Sequence, residues 1–558
     1  MSSVSAHVAL TLAQHVDAVF GVMGNGNAYF LDALERETDA QFTAVRHEQG
    51  AVVAADAHYR ASGRIAAGTA TYGAGFTNTL TALAEAVQAR IPLVLVVGDE
   101  PTSGPRPWDV DQIALASAVG ARTYTVGRAD AASTTVIAIE HALTYRVPVV
   151  LAIPYDVASI DAGPVPAAPE PRSPAPMEPR GEFAEGMLGE VAQALRDARR
   201  PLLLAGRGAW LAGASEPLGA LAEATGALTV STALGRGVFP DTRYDLGVAG
   251  GFGAEGAMEL VREADVAVVF GASLNQFTMR FGDLFAPGTR VYQVDVAPAA
   301  THAHVGGFVR GDAGVVAAAL VDRIRVGRSG ADAGSAGAAG TWREQVDVAA
   351  ARAYEAGDDV APDGRLDPRA AARRIAELLP EDRIVVSDGG HFIGWANMYW
   401  PVASPDRMMM VGTAFQAIGQ GWPSVVGAAR ARPESTVVLT SGDGGGLMAI
   451  ADLESAVRTA GGRGCAVIWN DAAYGAEVHL YGLKGLAKEP MHIPEVDFAA
   501  FAGAVGAEGV VVRTLGDLDR LAEWSAQPDD QRRFLLLDLR ISPTVVAPYQ
   551  QEIIRVNS

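Results

Sequence analysis

The chain has 558 residues, with 44 Lys and Arg against 64 Asp and Glu, for a formal charge of −20. Its length suits about two to four domains, and the abundant Ala, Val, Leu and Gly fit a large α/β core rather than a disordered or fibrous chain. The charge argues against nonspecific nucleic-acid binding, and no run of about 20 apolar residues suggests a membrane span.

Cys465 is the only cysteine, so no intrachain disulfide forms, and its apolar surroundings predict inert packing. The N-terminal MSSVSAHVAL lacks a basic segment followed by a long apolar one, so no signal peptide is expected and a cytoplasmic enzyme is the default.

Taken in order, residues 1–161 carry FGVMGNGNAYFLDAL, then AVRHEQGAVVAADAHYRASGR, then TATYGAGFTNTLTALAEAVQARIPLVLVVGDEPT. Asn25, Gly26 and Asn27 make a Gly-rich turn for which Asn is good turn chemistry in its own right. Glu48 opens a predicted helix of small apolar residues, where a carboxylate favours the helix N-terminus by about 0.3–1 kcal/mol. Local pattern alone makes it a capping residue. Residues 162–180 are Pro-rich and read as an extended linker. Residues 181–325 alternate short Val/Leu runs with helical patterns, and residues 326–345 read as a flexible Gly/Ala-rich linker before the last segment, 346–558. Strand runs alternating with helices predict an α/β fold of three doubly wound parallel-sheet domains, a pattern that lets the first and third share one architecture.

The densest chemistry lies from Val437 to Gly475. Val437–Thr440 reads as a buried strand, Gly442-Asp443-Gly444 as a tight turn, Met448–Arg458 as a helix, and Cys465–Trp469 as a second strand ending at Asn470-Asp471. A strand-helix-strand unit brings Asp443 and Asn470 to one carboxyl edge of the sheet, where open α/β sheets bind ligands. One carboxylate and one amide oxygen suit an octahedral Mg²⁺ that also holds phosphate oxygens. The surrounding glycines let backbone N–H groups approach those phosphates. An ordinary βαβ unit with an Asp in its turn is the competing reading.

This GDG with Asn some two dozen residues later resembles the diphosphate-binding motif of thiamine diphosphate (ThDP) enzymes, the superfamily of acetohydroxyacid synthases and of pyruvate and benzoylformate decarboxylases. HEQGAVVAADAHYR resembles the family's HExxAxxAAxGYAR, and TYGAGFTN its TxGPGxTN loop, with Ala74 in place of Pro. The resemblance covers nearly the whole chain, in the order pyrimidine-binding, middle and diphosphate-binding domain. It implies that Glu48 hydrogen-bonds the aminopyrimidine of the cofactor, a role open to a partly desolvated carboxyl, with Gly73 and Asn78 among the cofactor contacts. FGVMGNGNAYFLDAL is similar to the substrate-facing stretch of acetohydroxyacid synthases, which implies a catalytic or substrate-contacting role for Asn25 and substrate contacts for Gly26 and Asn27. The paired histidines of pyruvate decarboxylases are replaced by GDEPTSGPRPWDVDQ, from which Gln112 or Asp111 reaches the substrate.

In the last segment Gly389, Gly390 and His391 resemble the family's GQH, which touches the diphosphate. VGTAFQAIGQGWPSVVGAARA is similar to GGLGxMGFGLPAAIGA. Ile418 then takes the place of the apolar wedge that bends the cofactor, and the Gln416 carbonyl that of the acceptor for its 4′-amino group, where relatives often have Gly. Gly442, Asp443, Gly444 and Gly445 hold the diphosphate and metal, and NDAAYG, similar to NNxxYG, supplies Asn470, the Ala472 carbonyl and Tyr474, with Trp469 replacing the first Asn. Glu477 falls where pyruvate decarboxylases hold a catalytic Glu, and His479 is an alternative proton donor.

The resemblance implies a ThDP- and Mg²⁺-dependent lyase or carboligase acting on a 2-oxo acid, with release of an aldehyde or C–C bond formation to an acceptor aldehyde or ketone. It also implies a homodimer or homotetramer with Glu48 and Asp443 meeting across the dimer interface. An FAD-containing acetolactate synthase is an alternative that the changed middle-domain motifs, Ser273-Leu274-Asn275-Gln276 and Gly250-Gly251-Phe252-Gly253, disfavour. A catalytically degenerate ThDP-binding regulatory subunit is another, opposed by the retention of Glu48, Asp443 and Asn470.

Overall fold

A computed structural model describes residues 2–167, 169–329 and 341–557. Three sheets of six strands carry the fold, and every strand pair within them is parallel. The first comprises Ala18–Gly21, Gln41–Ala44, Ala66–Ala70, Leu93–Asp99, Arg122–Thr125 and Pro148–Pro154. Numbered within their own sheet, these lie side by side in the order 2-1-3-4-6-5. The third sheet, Arg383–Ser387, Met408–Met410, Thr436–Gly442, Gly464–Asn470, Glu508–Val512 and Leu535–Arg540, repeats that order. The second, Pro201–Ala205, Leu228–Ser231, Asp245–Val248, Val266–Phe270, Arg290–Asp295 and Val305–Arg310, runs 3-2-1-4-5-6. Central strands such as Leu93–Asp99 and Thr436–Gly442 are buried along their whole length, as helices on both faces require.

In an open parallel sheet the ligand crevice lies where the strand order reverses. In the first and third sheets that point falls between the first and third strands. The segments leaving those strands are residues 22–27 and 71–78 in one sheet, and 388–391 and 443–448 in the other. Most of the motif residues sit on them.

The first and third domains share one apolar core through the helices Glu48–Ser62 and Gly421–Ala431. Their backbones come so close that a Cβ on Gly427 would stand 2.0 Å from the Ala54 carbonyl oxygen. The Ala-rich face of the first helix permits this approach.

Several local expectations change. The segment after Thr436–Gly442 is helical already from Asp443, with Gly442 as its extended N-cap, so Gly442-Asp443-Gly444 is a helix start rather than a free turn. The helix expected over Met448–Arg458 is broken at Ala449, giving Asp443–Met448 and Leu453–Ala460 with a 3₁₀ turn between. The stretch expected as a flexible linker is helical at its start, since Ala313–Ser329 runs into it, and Trp342–Gln345 forms a capped 3₁₀ turn at its end. Residues 330–340 of that linker lie outside the described residues. Ser2–Ser3 pairs antiparallel with Asp161–Gly163, tying the start of the first domain to its end.

Candidate functional site

At the third sheet's reversal point, Gly442 pairs with Trp469, so Asp443 and Asn470 follow side by side from neighbouring strands. Both are buried. Asp443 Oδ1 accepts the Gly444 N–H at 2.9 Å. Asn470 Nδ2 donates to the Val496 carbonyl at 3.0 Å and to Asp538 Oδ1 at 2.9 Å. These bonds fix the amide and leave Asn470 Oδ1 a buried acceptor with no donor. Ala472 stands at φ +60°, and its carbonyl accepts the Ile493 N–H at 2.9 Å with one lone pair left over. Burial pushes the Asp443 carboxyl up, and burial with the charge of Asp443 does the same to Asp471. Crowded carboxylates beside an orphaned amide oxygen are the donor set of a hard, oxygen-seeking cation. The residues therefore fit Mg²⁺, which Asp443, Asn470 Oδ1 and the Ala472 carbonyl would hold.

The glycines here are a steric requirement. A Cβ on Gly444 would lie 2.7 Å from the Tyr474 ring, and one on Gly445 2.9 Å from Asp388 Oδ2. Asp388 itself was not singled out from the sequence. It is buried, and its Oδ1 accepts N–H groups from Gly389 at 2.8 Å, Gly419 at 3.0 Å and Gln420 at 3.3 Å, while Ser441 Oγ donates to Oδ2 at 3.3 Å. One carboxylate thus ties the Gly389 loop to the loop bearing Gln416 and Ile418. The signal was available: Asp388 ends a strand run as Asp443 does. Gln416 adopts φ +61°, a left-handed conformation that explains a preference for Gly there, and Ile418 lies 36% exposed. Gly390 likewise has φ +141°.

His391 is buried, and its Nε2 accepts the Ala547 N–H at 3.0 Å, so the proton of the neutral ring sits on Nδ1. Burial pushes its pKa down to about 3. Tyr549 Oη donates to the His391 carbonyl at 2.8 Å, so the helix Pro548–Asn557 clamps this loop from a distance no local pattern reveals. The His479 ring packs tilted by 55° against His391 with centroids 4.7 Å apart, and its buried Nε2 has no partner among the described residues. Glu477, two residues earlier on the helix Gly475–Leu480, is exposed. The two candidate proton donors thus face different surroundings.

In the first domain, Glu48 is the first residue of its helix after the His47 cap, half-buried, and its Oε2 accepts Asn78 Nδ2 at 2.9 Å. A Cβ on Gly75 would stand 3.4 Å from Glu48 Oε1. Gly73, at φ +60°, donates its N–H to Gln112 Oε1 at 2.8 Å. Gln112 Nε2 donates to the Gly98 carbonyl at 2.9 Å and to Asp99 at 3.1 Å. Expected at the substrate, Gln112 is a buried strut whose amide is spent on the Gly73 loop. Asp111 caps its helix by accepting the Ala114 N–H.

Asn27 also departs from its expected place. It is 1% exposed, its Oδ1 accepts the Gly24 N–H at 2.8 Å, and its Nδ2 donates to the Val22 carbonyl and Thr69 Oγ1. Turned inward at a helix start, its amide holds the turn. Asn25 is exposed and donates to Tyr72 Oη at 2.9 Å. Gly26 lies buried against Tyr72 and donates to Thr71 Oγ1 at 2.9 Å. The Arg106 guanidinium lies 4.0 Å over the Tyr72 ring and forms a bidentate pair with Asp109, a rim that the sequence did not disclose.

The middle domain does not fit a flavin. At its own reversal point Gly208 N–H bonds the Gly271 carbonyl at 2.9 Å, and a Cβ on Gly206 would lie 2.4 Å from that same oxygen. The Phe277 ring packs directly on Gly251 and edge-on to Phe252. The crevice is closed by backbone and the cradle filled by an aromatic ring.

Two parallel-sheet domains of one strand order, one with a glycine-lined edge suited to a cation and the other with a carboxylate opening a helix, make a frame suited to a diphosphate cofactor. Comparison with known proteins identifies the family. Profiles for the N-terminal, central and C-terminal domains of thiamine pyrophosphate enzymes match residues 2–118, 188–320 and 388–539. A sulfoacetaldehyde acetyltransferase of Alcaligenes xylosoxydans xylosoxydans is 28% identical across 93% of this chain and 89% of its own length. An acetolactate synthase of Mycobacterium avium is 28% identical across 77% of this chain and 69% of its own. The solved thiamine diphosphate-dependent 4-hydroxybenzoylformate decarboxylase of Rhodococcus jostii RHA1 shares the fold with a TM-score of 0.78, at 20% identity over 97% of this chain and 99% of that one. The chain belongs to the thiamine diphosphate-dependent enzyme family. Among the described residues no helix is long and apolar enough to cross a membrane.

Proposed function

We propose that this protein is a ThDP- and Mg²⁺-dependent enzyme that decarboxylates a 2-oxo acid in the cytoplasm and either releases an aldehyde or joins the fragment to an acceptor carbonyl. The observation that carries the reading is the orphaned Asn470 Oδ1 beside Asp443 at a glycine-lined helix start. Bound ThDP supplies an electron sink for the carboxyl carbon's departure. The chain's part is to bind, orient and move protons. Asp443, Asn470 and the Ala472 carbonyl would hold the metal, and the Gly442–Gly445 backbone leaves room for phosphate oxygens. Ile418 and the Gln416 carbonyl would contact the cofactor, and Asp388 fixes the loop they stand on. Glu48, held by Asn78, would be the group that shares a proton with the pyrimidine.

Glu48 is engaged by Asn78 of its own domain, and Met23 and Trp108 are exposed on that domain. Phe415, Ile418 and Met448 are exposed on the third domain. These two faces support a homodimer in which a second copy's first domain completes each site. Glu477, open to such a cleft, is the favoured proton donor to substrate, with His479 behind it against His391. Arg106, beside the Tyr72 that Asn25 holds, favours a substrate with an acidic or hydroxylated group.

The test is a screen of 2-oxo acids for CO₂ release with ThDP and Mg²⁺, run with and without an acceptor aldehyde and followed by product analysis. Release without an acceptor supports decarboxylation to an aldehyde, and a new C–C bond only with an acceptor supports carboligation. No CO₂ from any 2-oxo acid sinks both. Absorbance near 450 nm in the purified protein would revive the acetolactate synthase alternative with FAD.

A further inference from the structure

We propose that the junction of the three domains holds a receptor for a small oxyanion, of phosphate or carboxylate type, with Arg207 as its principal ligand. A cavity of about 130 Å³ lies there, lined by Tyr59 and Gly63 of the first domain, Arg207 and Trp210 of the second, and Asp406 and Arg432 of the third. That is close to the size of an internal cavity known to take one benzene ring, which suits an ion of a few heavy atoms and excludes a nucleotide.

The charges in this cavity are unevenly committed. Arg432 pairs with Asp406 and donates to the Ala61 carbonyl at 2.9 Å. Arg60, also on the cavity wall, is held by Asp56 at 2.5 Å and Glu85 at 3.3 Å. Arg207 has no carboxylate partner of this kind among the described residues. Its Nη1 donates to the Ala89 carbonyl at 3.2 Å, and its buried Nη2 has no partner. A buried guanidinium nitrogen without an acceptor is costly, and an oxyanion in the cavity that the Arg207 side chain lines would give that guanidinium a charge-assisted partner. Burial and the neighbouring Arg60 push the Arg207 pKa down only to about 10, so the group stays cationic at neutral pH.

Topology explains the placement. Gly206-Arg207-Gly208 leaves the first strand of the 3-2-1-4-5-6 sheet, the position from which such folds address ligands. Contact between Gly208 and Gly271 closes the crevice itself, and Arg207 lines the interdomain cavity instead. Two hydrogen bonds link the cavity wall to the third domain's loop: Arg60 donates to Glu85, and Glu85 accepts the Phe415 N–H at 2.6 Å just ahead of Gln416 and Ile418.

The experiment is calorimetric titration of sulfate, and separately of acetate, into the full chain saturated with ThDP and Mg²⁺. One saturable event per chain is expected, and the stronger probe distinguishes a tetrahedral anion from a carboxylate. Arg207→Gln should weaken it at least tenfold, whereas Arg310→Gln, exposed and not part of the cavity lining, should leave it unchanged. Leu211→Glu places a carboxylate in the same cavity and should abolish binding, which keeps the test alive if Arg207→Gln fails to fold. Absence of saturable heat with both probes overturns the proposal. So does undiminished affinity in Arg207→Gln or, where that variant does not fold, in Leu211→Glu.

Discussion

The first and third domains use one strand order, yet their reversal points are equipped in opposite ways. The first presents groups already satisfied within the domain: Asn78 on Glu48, Tyr72 on Asn25, and Gln112 on Gly73. The third gathers buried Asp388, Asp443 and Asp538, with Asp471 alongside and Asn470 Oδ1 unsatisfied. One edge is complete as it stands, and the other is suited to a cation, even with Asp538 already paired to Arg540. Topology therefore decides where a ligand sits, while the residues at the strand ends decide what charge it must bring.

The comparison breaks most sharply at Glu48. Glu48→Gln keeps a hydrogen-bonding side chain in place but removes the exchangeable proton. Turnover should fall by roughly 10²–10⁴-fold, the range of positioned acid–base groups, while calorimetric ThDP affinity stays close to wild type. Unchanged turnover would overturn the role proposed for Glu48 in activating the cofactor.

Asp443→Asn tests the other edge and should split in sign. Without metal, the variant relieves repulsion with Asp471 and should melt at a higher temperature than wild type. Mg²⁺ affinity should drop by at least about 10–100-fold, the usual cost of disturbing even the shell outside a metal's ligands. Chelator should thus lower the melting temperature of Mg²⁺- and ThDP-loaded wild type and leave Asp443→Asn unmoved. Equal Mg²⁺ responses in the two proteins would refute the cation reading.

Much of this contrast was legible in the sequence because it rests on strand ends. Apolar runs such as VVLT and CAVIW locate buried strands by composition, and whatever follows them lands on the carboxyl edge. That is why Asp443 and Asn470 could be brought together on paper. Residues whose role depends on a partner far along the chain could not be read this way. Asn27 looked like a pocket residue but serves Val22 and Thr69, and Gln112 serves Gly73. Ala547 and Tyr549 reach His391 across some 150 residues, and the Arg207 cavity needs all three domains. The helix break at Ala449 was missed because helical composition continues through it.

His391 gives the comparison a pH axis. Its folded pKa of about 3 lies below the ordinary 6.5, so the unfolded chain binds more protons between those values. The neutral ring's contribution to stability is therefore fully present above about pH 6.5 and is lost as pH falls toward 3. His391→Gln retains an acceptor for the Ala547 N–H without that proton uptake. Its unfolding free energy in denaturant should fall less steeply on acidification, with a residual slope from His479, whose pKa burial also lowers. Parallel curves for variant and wild type would show that His391 does not carry the effect.

The smallest effect belongs to Gln416. At φ +61° a side chain costs about 1 kcal/mol that glycine does not incur, so Gln416→Gly should stabilise the protein by roughly that amount, less the entropy glycine adds to the unfolded chain. The loop is held by Asp388 on Gly419 and Gln420 and by Glu85 on Phe415, none of which needs the Gln416 side chain. If position 416 acts through its carbonyl, kcat and ThDP affinity should survive the change. A large loss of activity in a well-folded Gln416→Gly protein would instead place the amide side chain at the substrate, making the third domain's edge a specificity surface as well as an anchor.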